Sequence, residues 1–446
     1  MASITSLGVG SGLDLSGLLQ DLATGEKQRL TPINNQISSY SSKFTAMGQI
    51  RSAVEGFQDA ASALQSPDLF KSRAAESSNS SLGVSADKSA VAGNYQIEVT
   101  QLAQGETQVA QGQTETDKAI GSGTVKITVG GKATDITLDD SNNTLAGIRD
   151  AINSSDAGVT ASIVNDGGAS PYRLVLSSSS TGSDSAMNFA VSGDTALNDL
   201  FTNTQTTVSA QNAELSVNGL SITSQSNTVK EAIQGVTLTL DDTGSSKVAV
   251  TDDTDAMRGA VEDFVSAYNT LASKIDSLTS YSSETNQGGI LTGNSTIRTL
   301  ENRLRGLVTD QNSNDGSYQY LSQMGVSFDK SGKLSIDDDK LDAALADSPD
   351  DVSKLLSGDS GIAGILNDSM DRMLDDNGLI TSATNGLQTT IDSLKDRRSD
   401  MQDSIDSTIA LYKKQFSQLD SAMASLNSTS NYLSQQLSAM GGNSNS

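Results

Sequence analysis

Apolar positions change their period twice along this chain. From Ile33 they recur at Ile37, Tyr40, Phe44, Met47, Ile50, Val54, Phe57, Ala61 and Leu64. Steps of three and four lay one stripe on a helix. Thr31 and Pro32 mark its start, Thr as a cap and Pro in the first turn, and Pro67 marks its end. A longer stripe runs through Leu387, Ile391, Leu394, Arg398, Met401 and Ile405. It continues through Ile409, Tyr412, Phe416, Leu419, Met423, Leu426, Ser430, Leu433, Leu437 and Met440. One extra residue between Ile405 and Ile409 is a stutter. From Leu387 to Met440 such a helix is roughly 80 Å long. No small domain has a core of that length, so the stripe needs another long helix, in this chain or a neighbour. Near the start, "SLGVGSGLDLSGLLQDL" predicts a glycine turn and then a short helix with Leu13, Leu15, Leu18, Leu19 and Leu22, and with Asp14 in its first turn.

Between the helical ends the period falls to two. "YQIEVTQLA" (95–103), "TVKITV" (124–129), "VTASIV" (159–164), "YRLVLS" (172–177), "AELSV" (213–217), "VTLTL" (236–240) and "KVAVT" (247–251) read as strands. Gly-Gly, Asn-Gly and Asp-Gly pairs supply turns. The middle also repeats: "VKITVGGKATDITLDDSNNTLAGIRDAIN" is echoed by "AELSVNGLSITSQSNTVKEAIQGVTLTL". Each copy predicts strand, glycine turn, strand, then Asn-Thr capping a short helix that ends near Ile152 or Ile233. Two copies imply two similar small domains rather than a solenoid. After them, 255–281 reads as a helix on Met257, Val261, Phe264, Val265, Tyr268, Leu271, Ile275 and Leu278. A short helix follows over 297–308, and "MGVSFDKSGKLSIDDDKLDAAL" reads as a hairpin and a helix.

Composition narrows the chemistry. The 446 residues include neither Cys nor His, which removes His-based triads, thiol nucleophiles and His-ligated zinc. A formal net charge of -25 disfavours nucleic acid and anionic membrane surfaces. Aromatics are 4%, so modest β-rich cores are expected. No basic-apolar leader and no transmembrane-length apolar run is present, which suits a cytosolic chain or one exported without a cleaved signal.

Two motifs invite chemistry and fail on spacing. Gly8, Gly10 and Gly12 form G-x-G-x-G with no preceding strand and no following Lys, so a nucleotide loop is not expected. "DKSGKLSIDDD" puts Lys333 where a calcium loop needs an acceptor; it reads as a turn, with Asp337 to Asp339 starting a helix. The Ser-rich stretch 177–185 reads as an exposed loop.

"SLGVGSGLDL", "LTPINNQISSYSSKFTAMGQIRSAV", "AVAGNYQIEVTQLAQ", "MGVSFDKSGKLSIDDDKLDAAL" and "YKKQFSQLDSAMASLNSTSNYLSQQL" together resemble the hook-associated protein 2 family, the caps of flagellar filaments. The repeated units resemble inserts of hook-associated proteins and flagellins. The resemblance covers essentially the whole chain. It implies an α+β multidomain fold: long N- and C-terminal helices paired as a coiled coil or bundle, around nested β-rich inserts. The implied domains are a terminal leg (1–42 with 396–446), a helical inner domain (43–75 with 254–395), a β-rich middle domain (76–104 with 206–253) and an outer insert (105–205).

The resemblance further implies a non-enzymatic cap at the distal tip, exported by the flagellar type III apparatus. No cofactor and no metal are implied. The implied partners are further copies in a ring (a pentamer), flagellin, the hook–filament junction protein, and a cytoplasmic export chaperone on the C-terminal helix. Host mucin or surface glycans form a further ligand class. Nucleic acid and membrane insertion are not expected. Contacts are expected through Leu13, Leu15, Leu18, Leu19, Leu22, Leu387, Ile391, Leu394, Ile405, Tyr412, Phe416, Leu419, Met423, Leu426 and Leu433. The terminal segments, 1–40 and 398–446, are expected to be disordered or only partly helical in the monomer, because unpaired helices are marginal. The alternatives are a surface adhesin and another axial protein such as a hook–filament junction protein.

Overall fold

The N-terminal stripe is carried by two helices, α1 (Leu15–Lys27) and α2 (Thr31–Gln65), joined by a 3₁₀ turn at Gln28–Leu30. This computed structural model describes residues 7–284 and 286–441, with side chains through Ser438. Asp14 caps α1 by accepting the Gly17 N–H at 2.8 Å. Thr31 does not cap α2, contrary to expectation. The chain is already helical there, so no free N–H groups wait for a hydroxyl. From Ala46 onward the stripe of α2 is buried, through Met47, Ile50, Val54, Phe57, Ala61 and Leu64.

The chain divides into two compact units: residues 1–66 with 258–446, and residues 67–257. The second unit is built on antiparallel sheets around two separate cores. One core lies between a five-stranded and a three-stranded sheet. The five-stranded order is Arg73–Ser77, Gly244–Asp252, Gly93–Gln101, Ala213–Val217, Leu220–Ser224. The three-stranded order is Thr228–Ile233, Val236–Leu240, Leu82–Ala86. Ile97, Leu215, Val236, Leu238 and Val248 fill this core. The other core is formed by strands from 107–208 with α3 (Leu145–Asn153) and α4 (Thr195–Thr202). Ile127, Ile148, Leu174, Leu176 and Phe201 meet there.

The two repeats agree at their hairpins. Gly130 and Gly131 both have positive φ (58° and 76°), as do Asn218 and Gly219 (49° and 83°). Such two-residue turns match the strand twist, and these residue types tolerate the left-handed region. The repeats then diverge. Thr144 caps α3 by accepting the Gly147 N–H at 3.1 Å, as expected. Its counterpart segment, 228–233, is a strand and not the expected helix. Val229 and Ile233 turn inward from it, with a register shift between them.

The first unit closes with six helices among the described residues: α5 (Thr254–Thr279), α6 (Ser295–Thr309), α7 (Asp338–Asp347), α8 (Pro349–Leu356), α9 (Ile362–Leu374) and α10 (Leu379–Gly441). Phe57 of α2 meets Phe264 and Tyr268 of α5 at ring-centroid distances of 5.1 and 5.5 Å. A hairpin, Val326–Phe328 with Leu334–Ile336, precedes α7. Its turn engages Asp329, which accepts from the N–H groups of Ser331 (2.7 Å) and Lys333 (2.9 Å). Among the described residues no helix is long and apolar enough to cross a membrane, and no acidic cluster could hold a metal.

Candidate assembly surface

At 63 residues α10 is about 95 Å long. It runs through the sequence stutter at Ile405–Ile409 without a break. The N-terminal helices lie along it in the opposite direction. Arg51 Nη1 donates to Thr381 Oγ1 at 3.4 Å, and the Ser11 N–H donates to Asp420 Oδ1 at 2.7 Å. Residues 11 to 51 therefore match residues 420 to 381, about 40 residues on each side at equal rise. The terminal segments thus form a helical pair within one chain, where disorder or partial helix was expected. The described stripes find each other, which supplies the partner a lone helix lacks. The parts of that expectation falling on residues 1–6 and 442–446 lie outside the described residues.

Burial grades along the pair. Ile391, Leu394 and Ile405 are buried, and Leu387 is half-buried. Beyond Ile405 no described side chain of α10 is fully buried. Tyr412, Phe416 and Met423 are half-buried, while Leu419 (43%), Leu426 (63%) and Leu433 (54%) are exposed. The side chain of Met440 lies outside the described residues. On α1, Leu15 and Leu19 are buried by the chain itself and Leu18 and Leu22 are exposed, as is Leu13 just before the helix. With Leu15 and Leu19 turned toward an antiparallel α10, helical geometry puts Leu18 on the same side of the pair as Leu419 and Leu426. The fifteen expected contact residues therefore fall into three groups: five in a buried seam, four half-buried, and six in an exposed leucine row.

The glycine segment has a ligand, and it is a carboxylate. Gly8 and Gly12 turn the chain at φ of 96° and 73°, closed by a 2.9 Å bond from Gly12 N to Gly8 O. The Ser11 hydroxyl, with the N–H groups of Ser11, Gly8 and Gly10, holds the Asp420 carboxyl below its usual range. A Cβ on Gly10 would sit 2.9 Å from Ala424 Cβ, so only glycine fits there without a shift. Sequence spacing missed Asp420. The signal was present: it is the only acidic residue after Asp406 in a chain with 54 Asp and Glu. Ser6 lies outside the described residues.

Family models for the N-terminus and C-terminus of flagellar hook-associated protein 2 match residues 11–106 and 210–428. Flagellar hook-associated protein 2 of Escherichia coli K12 is 41% identical over 462 residues, covering 98% of both chains. The chain belongs to the flagellar hook-associated protein 2 family. The Salmonella typhimurium member is 42% identical over 99% of both chains. A flagellin hook IN motif matches residues 124–180, which hold the first repeat. The crystal structure of the D1-D2-D3 domains of the flagellar cap protein FliD from Escherichia coli superposes with a TM-score of 0.67 at 36% identity, covering 77% of this chain and 99% of that one. These matches agree with the α+β architecture of long terminal helices around nested β inserts. They favour neither the adhesin nor the junction-protein alternative.

Proposed function

We propose that this chain is the structural cap at the distal tip of the flagellar filament, exported through the flagellar apparatus, and that it works without bond chemistry. The observation that carries the reading is the near end-to-end match to hook-associated protein 2 relatives, together with an antiparallel terminal pair that leaves a leucine row uncovered. Residues 1–42 with 396–446 form a leg, and 43–75 with 254–395 form the inner helical domain. Residues 76–104 with 206–253 and the insert 105–205 form a plate; two separate cores support that division. Five copies close a ring. The exposed row at Leu13, Leu18, Leu22, Leu419, Leu426 and Leu433 meets neighbouring copies, the filament end made of flagellin, or the junction protein. Before export the same row of α10 is covered by a helical chaperone groove. Burial of apolar surface on incoming flagellin supplies the free energy of insertion.

Labelled chain on intact flagella is expected at the distal tip, and deletion of residues 387–446 is expected to abolish filament growth. Label along the shaft or at the hook overturns the reading.

A further inference from the structure

Apolar packing alone does not fix how far α1 reaches along α10. The exposed part of α10 repeats every seven residues, with Tyr412, Leu419, Leu426 and Leu433 in one row and Phe416 and Met423 in another. A slip of one heptad exchanges like for like. On α10 itself full burial ends at Ile405, beyond which only Leu15 and Leu19 of α1 are fully buried in the pair among the described residues, and the 3₁₀ turn at Gln28–Leu30 separates α1 from α2. What changes on slipping is the residue that meets the glycine loop. One heptad back it is Lys413, and one heptad forward it is Asn427. Shorter slips bring Phe416, Ser417, Met423 or Ala424. A cluster of backbone N–H groups repels an ammonium, has nothing to gain from a hydrocarbon, and binds a carboxylate more strongly than a neutral amide or hydroxyl.

We propose that Asp420, seated in the Gly8–Ser11 backbone loop, is a register lock for the terminal helix pair. It plays the part that a single buried polar residue plays in a coiled coil, choosing one alignment among several with similar apolar contact. The Ser11 N–H bond at 2.7 Å sets the axial position, and the close approach of Gly10 to Ala424 sets the depth. On this alignment Leu13, Leu18 and Leu22 stand level with about residues 418, 413 and 409 of α10, so the lock sets where the exposed leucines of the N-terminal segment stand relative to Leu419. Residues 7–14 have no helix or strand to hold them in place otherwise.

The chain has no cysteine, so spin labels can be placed by Gln20→Cys and Ser434→Cys, both at exposed positions on the full chain. Electron-electron resonance is expected to give one narrow distance. In Asp420→Asn further distances should appear, offset by about 5 or 10 Å, the rise of three to four or seven residues. Amides of residues 7–14 should exchange about tenfold faster or more, since a charged hydrogen bond is lost. Gly10→Ala should do the same, and Gly10→Ala with Ala424→Gly should restore the single distance. A single unshifted distance with unchanged exchange in Asp420→Asn overturns the lock, as does a broad distribution in the parent chain.

Discussion

Ala103 and Asn227 exchange two hydrogen bonds: the Ala103 N–H donates to Asn227 Oδ1 at 2.7 Å, and Asn227 Nδ2 donates to Ala103 O at 3.0 Å. The side chain of Asn227 thus replaces a neighbouring strand at the end of Gly93–Gln101. Ala103 is buried, so Asn227→Ala leaves an N–H without water or partner. The expected loss is about 1–3 kcal/mol, read from urea unfolding. Thr228→Ala should be near neutral, because Thr228 is exposed and caps nothing, while Thr144→Ala should cost about 1 kcal/mol. Equal effects of the two threonine variants would contradict this division of labour.

That pair also marks where sequence reading stopped. The two "NT" dipeptides look alike, and local chemistry offers each the same cap. In the first repeat Thr144 takes it. In the second, Asn227 is drawn to Ala103, which is distant in sequence, and the following residues pair with Val236–Leu240 as a strand. Tertiary contact overrode a local signal. The long stripes were legible because period and length survive any partner. Hairpins at Gly130–Gly131 and Asn218–Gly219 were legible because positive φ restricts the residue types. Division of the leucines into buried and exposed sets was not legible, since it depends on which face of α10 the N-terminal helices occupy. Asp420 was not legible because its partner Ser11 lies 409 residues away, and glycine spacing carries no mark of a carboxylate brought in by the fold.

Phe57 is fully buried against Phe264 and Tyr268, and Tyr268 in turn meets Phe328 at 5.5 Å. One side chain therefore joins α2, α5 and, through Tyr268, the hairpin. Phe57→Ala should lower stability by about 3–5 kcal/mol through lost packing and a cavity, seen as a lower midpoint in the helical circular-dichroism signal. Phe57→Leu should recover most of the loss. A change below about 1 kcal/mol would show that the ring cluster collapses around the gap.

Asp351 ties the segment before the hairpin to α8. It accepts from Ser317 Oγ at 2.6 Å and Ser317 N at 3.1 Å, and pairs with Lys354 at 3.0 Å. These bonds, the Ser317 hydroxyl first, pull its pKa down to about 2. A depressed carboxylate stabilises the folded state fully above its unfolded value, about 3.9. That contribution fades as pH falls through the folded value. The Ser317 amide resonance should therefore stay constant from pH 7 to about 4 and move with a midpoint near 2. A midpoint at the ordinary carboxylate value would show that the tie does not hold in solution.

Leu419 is the central test of the assembly surface. It is 43% exposed on α10, next to the half-buried Phe416 and Met423 and one heptad from Leu426. Leu419→Asp adds a charge where the isolated chain already meets water, so helix content and the melting midpoint should stay close to those of the parent chain. A partner groove that desolvates this position would have to bury a carboxylate with no counter-charge. Loss of an anchor of this kind costs at least about 2 kcal/mol, or roughly thirtyfold in affinity. If one row serves both proposed partners at different times, chaperone binding by calorimetry should weaken by that factor and filaments should shorten. Ser428→Asp is the control: Ser428 is exposed and lies nine residues beyond Leu419, on the opposite side of α10 from the row. It should leave both readouts unchanged. If Leu419→Asp binds the chaperone normally and supports full-length filaments, the leucine row is neither the handle nor the leg. If both substitutions weaken binding equally, the effect is one of net charge on the helix rather than of a docked face.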